Sequence, residues 1–321
     1  MIKETKYNYS QFLFNYDFSL KEKKEIFLNS LKGSKLNYKR YDGTLLRYAG
    51  GKSLAVGMII ENLPTDINRV ISPFIGGGSV EIAIARELDL EVIGFDIFDI
   101  LVNFYNVVLS EPKKLYDELA KLEPTRQTYE IIKNELKAHW KKEITLNSLV
   151  LARDYYFNFN LSYGPGFLGW MSSIYENKSR YLKNIEKIKN FNVANLEVYC
   201  ESFENVFQKY PDDFFYLDPP YFLEGDSKMF RGIYPQRNFP IHHNNFKHEL
   251  LAEILKSHNG KFILSYNDCE FVRSTYKDFK ILEPSWQYTM GQGETRIGKN
   301  RIERGDANNV KKSHELLIIK E

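Results

Sequence analysis

The sequence predicts an α/β protein, a mostly parallel sheet covered by helices on both faces. Short apolar runs recur at Arg69 to Phe74, Glu91 to Phe95, Leu196 to Tyr199, Phe214 to Leu217, Lys261 to Tyr266 and Leu316 to Ile319. Helical patterns stand between most of them, the alternation expected of parallel strands joined by crossover helices. One stretch, residues 110–189, breaks the rhythm. It is helical and charged throughout and reads as an insertion into the sheet domain.

The elements follow in order. Residues 1–40 are rich in Tyr, Phe and Lys and read as an N-terminal extension without an assigned role, holding one helix around Leu20 to Leu31. Arg69 to Phe74 reads as a short buried strand, broken by Gly76-Gly77-Gly78. Ser79 is expected to cap an apolar helix from Val80 to Leu88. Glu91 to Phe95 is a second strand, ending in Asp96 and followed by a helical run from Ile97 to Leu109. Near its end the helical middle carries an aromatic and glycine-rich patch, Tyr155 to Trp170. The expected division is therefore residues 41–109 and 190–321 as the sheet domain, with 110–189 inserted.

Composition narrows the class. With 321 residues, 43% hydrophobic and 27% charged, the chain can form one large domain or a core with a smaller insertion. No apolar run is long enough to span a bilayer, and Met1 to Lys6 lacks a hydrophobic signal core, so no membrane is expected and the location expected is the cytoplasm. Cys200 and Cys269 lie far apart and suggest neither a disulfide framework nor a zinc site. The histidines, among them His242, His243 and His248, have no ligand-spaced acids, so no metal is expected. Net charge is only +2. Between Gly298 and Lys312, however, Lys299, Arg301, Arg304, Lys311 and Lys312 face only Glu303 and Asp306. That stretch reads either as a basic loop meeting phosphates or as an ordinary solvated loop.

Three elements fall at strand ends, where open α/β sheets bind ligands. In Phe74-Ile75-Gly76-Gly77-Gly78-Ser79 the glycines let the backbone turn sharply and approach a ligand closely. Asp96, one strand later, can accept hydrogen bonds from both hydroxyls of a ribose, so the pair suits an adenosine-containing cofactor. The third is Asp218-Pro219-Pro220-Tyr221, directly after the apolar run Phe214 to Leu217. The prolines fix a rigid turn. It presents the Asp218 carboxylate and the Pro219 carbonyl as converging acceptors beside the Tyr221 ring, a combination that suits a planar base carrying an NH2 group.

Arg47-Tyr48-Ala49-Gly50-Gly51-Lys52, Pro73 to Ser79, Asp96, Asp218 to Tyr221 and the closing strand Glu315 to Ile319 together resemble the Dam-like (class alpha) DNA adenine-N6 methyltransferases. The resemblance runs from about Arg47 to the end of the chain. It implies a Rossmann-like S-adenosylmethionine-dependent methyltransferase sheet with an inserted, mostly helical target-recognition domain, acting on a flipped-out adenine in double-stranded DNA. Tyr48, Lys52, Phe74, Gly76, Gly78 and Asp96 are then expected in the cofactor pocket, with Asp218 at its border. Lys52 is expected at the cofactor's methionine end and Asp96 at its ribose. Asp218, Pro219 and Tyr221 are expected to hold the adenine. Asn160, at the start of a hairpin running to Trp170, is expected at the DNA, together with Lys299, Arg301 and Arg304. A cognate restriction endonuclease sharing the site is a further expected partner. Ser72 stands where the family often has Glu, and Ser202 stands where it often has an acid, with Glu201 adjacent.

Other readings fit less well. Gly51-Lys52-Ser53 would need a glycine at position 46, occupied by Leu46, to form a phosphate-binding loop. Neither cysteine follows a proline, as a cytosine-C5 nucleophile usually would. Cytosine-N4 methylation and a catalytically inactive DNA-binding module remain as alternatives. The first more often pairs with Ser at position 218, and the second gives no reason to keep Tyr48, Lys52, Asp96 and Asp218 together.

Overall fold

The computed structural model describes residues 18–33, 38–48, 50–163, 166–222, 246–284 and 315–321. Its frame is a seven-stranded sheet in the order β3-β2-β1-β4-β5-β7-β6, with β1 Arg69–Ser72, β2 Glu91–Asp96, β3 Leu196–Cys200, β4 Phe214–Leu217, β5 Phe262–Asn267, β6 Lys280–Leu282 and β7 Glu315–Lys320. The first five run parallel, while β7 lies antiparallel between β5 and β6. The reversal matters for function. It carries the start of β7 to the carboxyl edge of the parallel strands, where Glu315 pairs in register with Asn267 at the end of β5.

Side chains alternate between two packed layers, as the two-residue period of a strand requires. Val70, Phe214, Tyr216, Ile263, Leu317 and Ile319 enter one core, and Ile71, Phe215, Leu217, Phe262, Leu264, Leu316 and Ile318 enter the other. Strands covered on both faces explain the near-continuous apolar runs of the sequence. At the opposite, amino-terminal edge, Arg69 and Asp213 tie β1 to the start of β4 through two guanidinium bonds of 2.9 and 3.0 Å.

Among the described residues the helices are α1 Leu20–Leu31, α2 Val56–Glu61, α3 Ser79–Glu87, α4 Asp99–Ser110, α5 Pro112–Ala120, α6 Arg126–Trp140, α7 Ser148–Leu161, α8 Lys178–Lys189, α9 Phe203–Lys209, α10 His248–Ser257 and α11 Glu270–Thr275. The expected helix near the N-terminus has a reciprocal Ser19–Glu22 capping box and sends Phe27 and Leu31 into the first core. The helical middle, α5 to α8, joins that same core: Leu115, Tyr129, Tyr155, Phe157 and Tyr181 are continuous with the residues on the sheet face. Among the described residues no helix is long and apolar enough to cross a membrane.

One expectation needs correction, and one strand was not expected. Ser79 does not cap α3 but is its first residue; Gly78 is the N-cap, left-handed at φ 64°, with no side-chain capping bond, and its carbonyl accepts from Ile82 N–H at 2.9 Å. The backbone there must turn in a way that glycine alone adopts cheaply. The three-residue β6 went unread because Lys280-Ile281-Leu282 is too short to show a period.

Gly78→Ala should destabilise the fold by about 1–2 kcal/mol, the usual cost of left-handed backbone in a residue with a Cβ. The new methyl would also lie 2.6 Å from the Tyr105 hydroxyl, itself anchored on the Gly76 carbonyl at 3.0 Å. Urea denaturation measures the effect, and an unchanged midpoint would contradict this account of the turn.

Candidate active site

The strand order reverses between β1 and β4, and the crevice beyond their carboxyl ends is where doubly wound sheets bind ligands. Three segments converge there: the turn after β1, the turn after β4 and the loop that precedes α2. The last brings a lysine from far away in sequence. Lys52 is 3% exposed. Its Nζ donates to both oxygens of Asp218, at 2.6 and 2.7 Å, to the Tyr221 hydroxyl at 3.0 Å and to the Gly50 carbonyl at 3.0 Å. A second carboxylate, Glu315, stands 3.7 Å from the same ammonium.

The Asp218-Pro219-Pro220-Tyr221 turn is held at both ends. Behind it lies β4, whose four residues are all buried. Ahead of it, Asn267 accepts from Phe222 N–H at 2.9 Å and donates to the Phe222 carbonyl at 2.8 Å. Tyr221 is itself buried, with its ring lying 6.3 Å from that of Tyr266 at an interplanar angle of 25°. The turn is thus rigid where its carboxylate must be aimed.

A third acid completes the polar cluster. Ser72 Oγ donates to Glu81 at 2.6 Å, and Glu81 is buried in the first turn of α3. Where the family often has an acid at the end of this strand, the chain places a serine that reaches a carboxylate nine residues on. Burial pushes the Glu81 carboxyl up to about 7, with Ser72 opposing. Burial also raises Glu315, to about 8, opposed by Lys52 and reinforced by Asp218. Asp218 is raised as well by burial, against the pull of Lys52. One ammonium among three carboxyl groups, two buried and Asp218 half-buried, cannot neutralise them all, so the cluster retains protons that the same groups would lose in water.

The glycine turn and Asp96 form the neighbouring subsite. Asp96 accepts from Phe98 N–H at 2.9 Å and Gly76 N–H at 3.3 Å, locking the turn to the end of β2. Tyr48 lies over that turn: a Cβ on Gly77 would come within 2.5 Å of the Tyr48 Cβ. The Tyr48 ring stacks on Phe159 at 5.5 Å, and Phe74 meets Phe203 at 5.7 Å and Phe246 at 5.6 Å. An aromatic wall, a glycine cradle that side chains would fill and a carboxylate at a strand tip are the features an adenosine group requires, so these residues fit such a ligand.

Of the expected site residues, the fold gathers Tyr48, Gly76, Gly78 and Asp96 on one side, with Phe74 at the end of β1, and Lys52, Asp218, Pro219 and Tyr221 on the other. Asn160 sits inside the protein, 7% exposed. Its side chain accepts from Arg47 N–H at 3.1 Å and donates to the Leu45 carbonyl at 3.3 Å, so it is spent on the segment leading to Tyr48. Glu201 is bound by Lys209, Asn205 and Ser202 N–H, which pull its carboxyl down to about 2, and it stays with the start of α9. Lys299, Arg301 and Arg304 lie outside the described residues. Glu81, Asn267 and Phe203 were not foreseen as site residues, and Glu315 was read only as part of the closing strand. Glu81, Glu315 and Phe203 each stood beside or within a quoted element, whereas Asn267 had no such neighbour.

The chain is also similar to known proteins. The family described as D12 class N6 adenine-specific DNA methyltransferase matches residues 48–290. The type II methyltransferase M.MjaIII of Methanocaldococcus jannaschii is 29% identical over 210 residues, covering 55% of this chain and 68% of its own. The type II methyltransferase M.CviBI of Paramecium bursaria Chlorella virus NC1A is 23% identical over 262 residues, covering 79% and 94% respectively.

The raised Glu81 carboxyl has a consequence for stability. Its unfolded value is near 4.5 and its folded value about 7, so between these the folded state binds more protons than the unfolded chain. Its contribution is complete below about 4.5 and is lost as pH rises through about 7. Glu81→Gln keeps an acceptor for Ser72 but has no proton to lose, so it should gain thermal stability relative to the parent as pH rises from 5 to 8. Parallel melting curves across that range would contradict the assignment.

Proposed function

The chain belongs to the D12 class N6 adenine-specific DNA methyltransferase family, and on that premise we propose that it transfers a methyl group from S-adenosylmethionine to a flipped-out adenine at Asp218. That it methylates adenine in DNA is the property of the family. The choice of donor and the role of each residue are our reading.

The observation that carries the reading is the contact between Lys52 and Asp218. An amine already sits on both Asp218 oxygens at 2.6 and 2.7 Å, which marks the carboxylate as an acceptor shaped for an N–H donor at the switch point of the sheet. When bound, the donor supplies an electrophilic methyl group on a sulfonium. The glycine turn Gly76 to Gly78 and the aromatic wall would hold its adenosine, and Asp96 its ribose hydroxyls. Tyr48 would close that pocket from above.

The target nitrogen is a poor nucleophile because its lone pair is delocalised into the ring. Asp218 and the Pro219 carbonyl accept its two N–H bonds, draw it toward tetrahedral geometry and so free the lone pair for in-line attack. The same acceptors stabilise the positive charge that develops on nitrogen. Holding both reactants in line supplies further acceleration. The base must leave the duplex to reach this depth, at a cost of a few kcal/mol of stacking.

The helical middle, residues 110–189, would face the duplex. Supporting this, Tyr163 and Trp170 are 70% and 74% exposed on the segment closed by the Ser162–Met171 bridge. Asn160 then acts from inside, setting the segment that carries Tyr48. Lys299, Arg301 and Arg304 are assigned to DNA phosphates on sequence grounds. Both relatives are type II methyltransferases by name, and a restriction endonuclease sharing the recognition site is part of the proposal.

Asp218→Asn keeps the shape of the turn but turns one acceptor into a donor facing the target amine. Single-turnover methylation should fall by at least about 10²–10³, with donor affinity nearly unchanged in calorimetry. Tyr221→Ala should instead weaken base capture by roughly 1–3 kcal/mol, the usual worth of an aromatic contact to a base. Near-parental methylation by Asp218→Asn would overturn the assignment.

A further inference from the structure

Lys52 and the target amine need the same place. Both Asp218 oxygens are taken by Nζ, and the Tyr221 hydroxyl is drawn into the same contact. An adenine amine that donates to Asp218 must therefore displace the ammonium from at least one oxygen. The ammonium cannot simply be abandoned, because a buried charge stripped of its partner costs several kcal/mol. The Gly50 carbonyl and the Tyr221 hydroxyl carry no compensating charge, and the other carboxyl group beside Nζ among the described residues is Glu315, at 3.7 Å, itself buried and fixed at the start of β7 by the register with Asn267.

We propose that Lys52 occupies the place of the target amine in the resting site, and that Glu315 is the positioning residue that receives the ammonium when the base arrives. The inference rests on the reading of Asp218 as the amine acceptor. No bond to carbon changes in this step. Lys52 Nζ exchanges an Asp218 contact for one with Glu315, and the Glu315 carboxyl ionises, giving its proton to water. The raised Glu315 supports that assignment of the proton: while the ammonium rests on Asp218, burial keeps a proton on Glu315 up to about pH 8.

Other charged groups share the pocket. Lys52 faces Glu315 from the loop before α2, and Asp218 and Tyr221 face it from the turn after β4. Glu81 from α3 and the Tyr216 hydroxyl from β4 couple to Lys52 and Asp218 in the same cluster. Asp218 contributes its own dependence on the acid side, because it must be ionised to accept. The signature of Glu315 is therefore one additional proton released on base capture. Below its titration, capture strengthens by about tenfold more per pH unit than it would without that proton.

The experiment begins with the full chain and plasmid DNA from an expressing host. Sequencing for modified bases locates the methylated adenine, and a duplex that keeps this adenine and carries 2-aminopurine beside it then reports capture of the intact base by fluorescence from pH 6 to 9. If no adenine is methylated, the proposed function fails and this inference with it. If methylation is present, the variants decide the inference alone.

Glu315→Gln should lose one proton from the pH slope of base capture and lower kcat at least about tenfold at pH 8, while donor affinity stays within about threefold. Glu315→Asp should restore the slope with its midpoint moved. It also serves as the folding-competent test if Glu315→Gln does not fold. A Glu315→Gln protein with the parental slope, or a slower one whose slope is unchanged, would overturn the proposal. So would a Glu315→Asp protein without a titrating step.

Discussion

A buried ammonium holds this site together. Lys52, from the loop before α2, is clasped by a carboxylate at the end of β4 and faced by another at the start of β7. A lone charge at that depth would be untenable, and a paired one is tolerated only with good geometry and several hydrogen bonds. Much of the local architecture supplies that geometry. The two prolines stiffen the turn that aims Asp218. Asn267 clamps the next residue, and the antiparallel β7 delivers Glu315 to the functional edge of an otherwise parallel sheet. Ser72 and Glu81 extend the cluster to the end of β1, so the polar groups span the strands on which both halves of the reaction depend.

Local signals in the sequence carried most of the fold. The glycine break after β1, the acid ending β2 and the prolines after β4 are each compact patterns whose physical meaning is nearly independent of the rest of the chain. Buried strands also announce themselves, because burial on both faces leaves little room for polar residues. The site was harder to read where it depends on distance. Lys52 and Asp218 are 166 residues apart, and Asn267 and Phe222 are 45 apart, with no shared motif to link them. Glu81 looked like an ordinary acid in the first turn of a helix, and only the fold shows it turned inward onto Ser72. Gly78 was read as part of a sharp turn before a helix capped by Ser79, whereas its own left-handed backbone is what starts α3. Asn160, expected at the DNA from the resemblance of residues 160–170 to the family's hairpin, has its side chain bound to the backbone of Leu45 and Arg47, a contact that only the fold reveals.

The helical middle relates structure to function in a less obvious way. Its aromatic core is continuous with the face of the sheet, so Tyr155, Phe159 and Phe167 pack toward Tyr48 and Phe98 without an intervening boundary. Phe159 stacks directly on Tyr48, the ring that covers the glycine turn. Contacts on the outside of the middle segment can therefore reach the proposed donor pocket through packed rings. The helical middle and the proposed donor pocket share one core.

The central claim is that Asp218 accepts the target amine after Lys52 has yielded to it. A crystal structure of the protein with a cognate duplex and an unreactive analogue of the methyl donor addresses it directly. The expected result is an extrahelical adenine whose N6 lies within hydrogen-bond distance of Asp218 and the Pro219 carbonyl, with Lys52 Nζ moved toward Glu315. An adenine bound in the pocket while Lys52 still holds both Asp218 oxygens would contradict it.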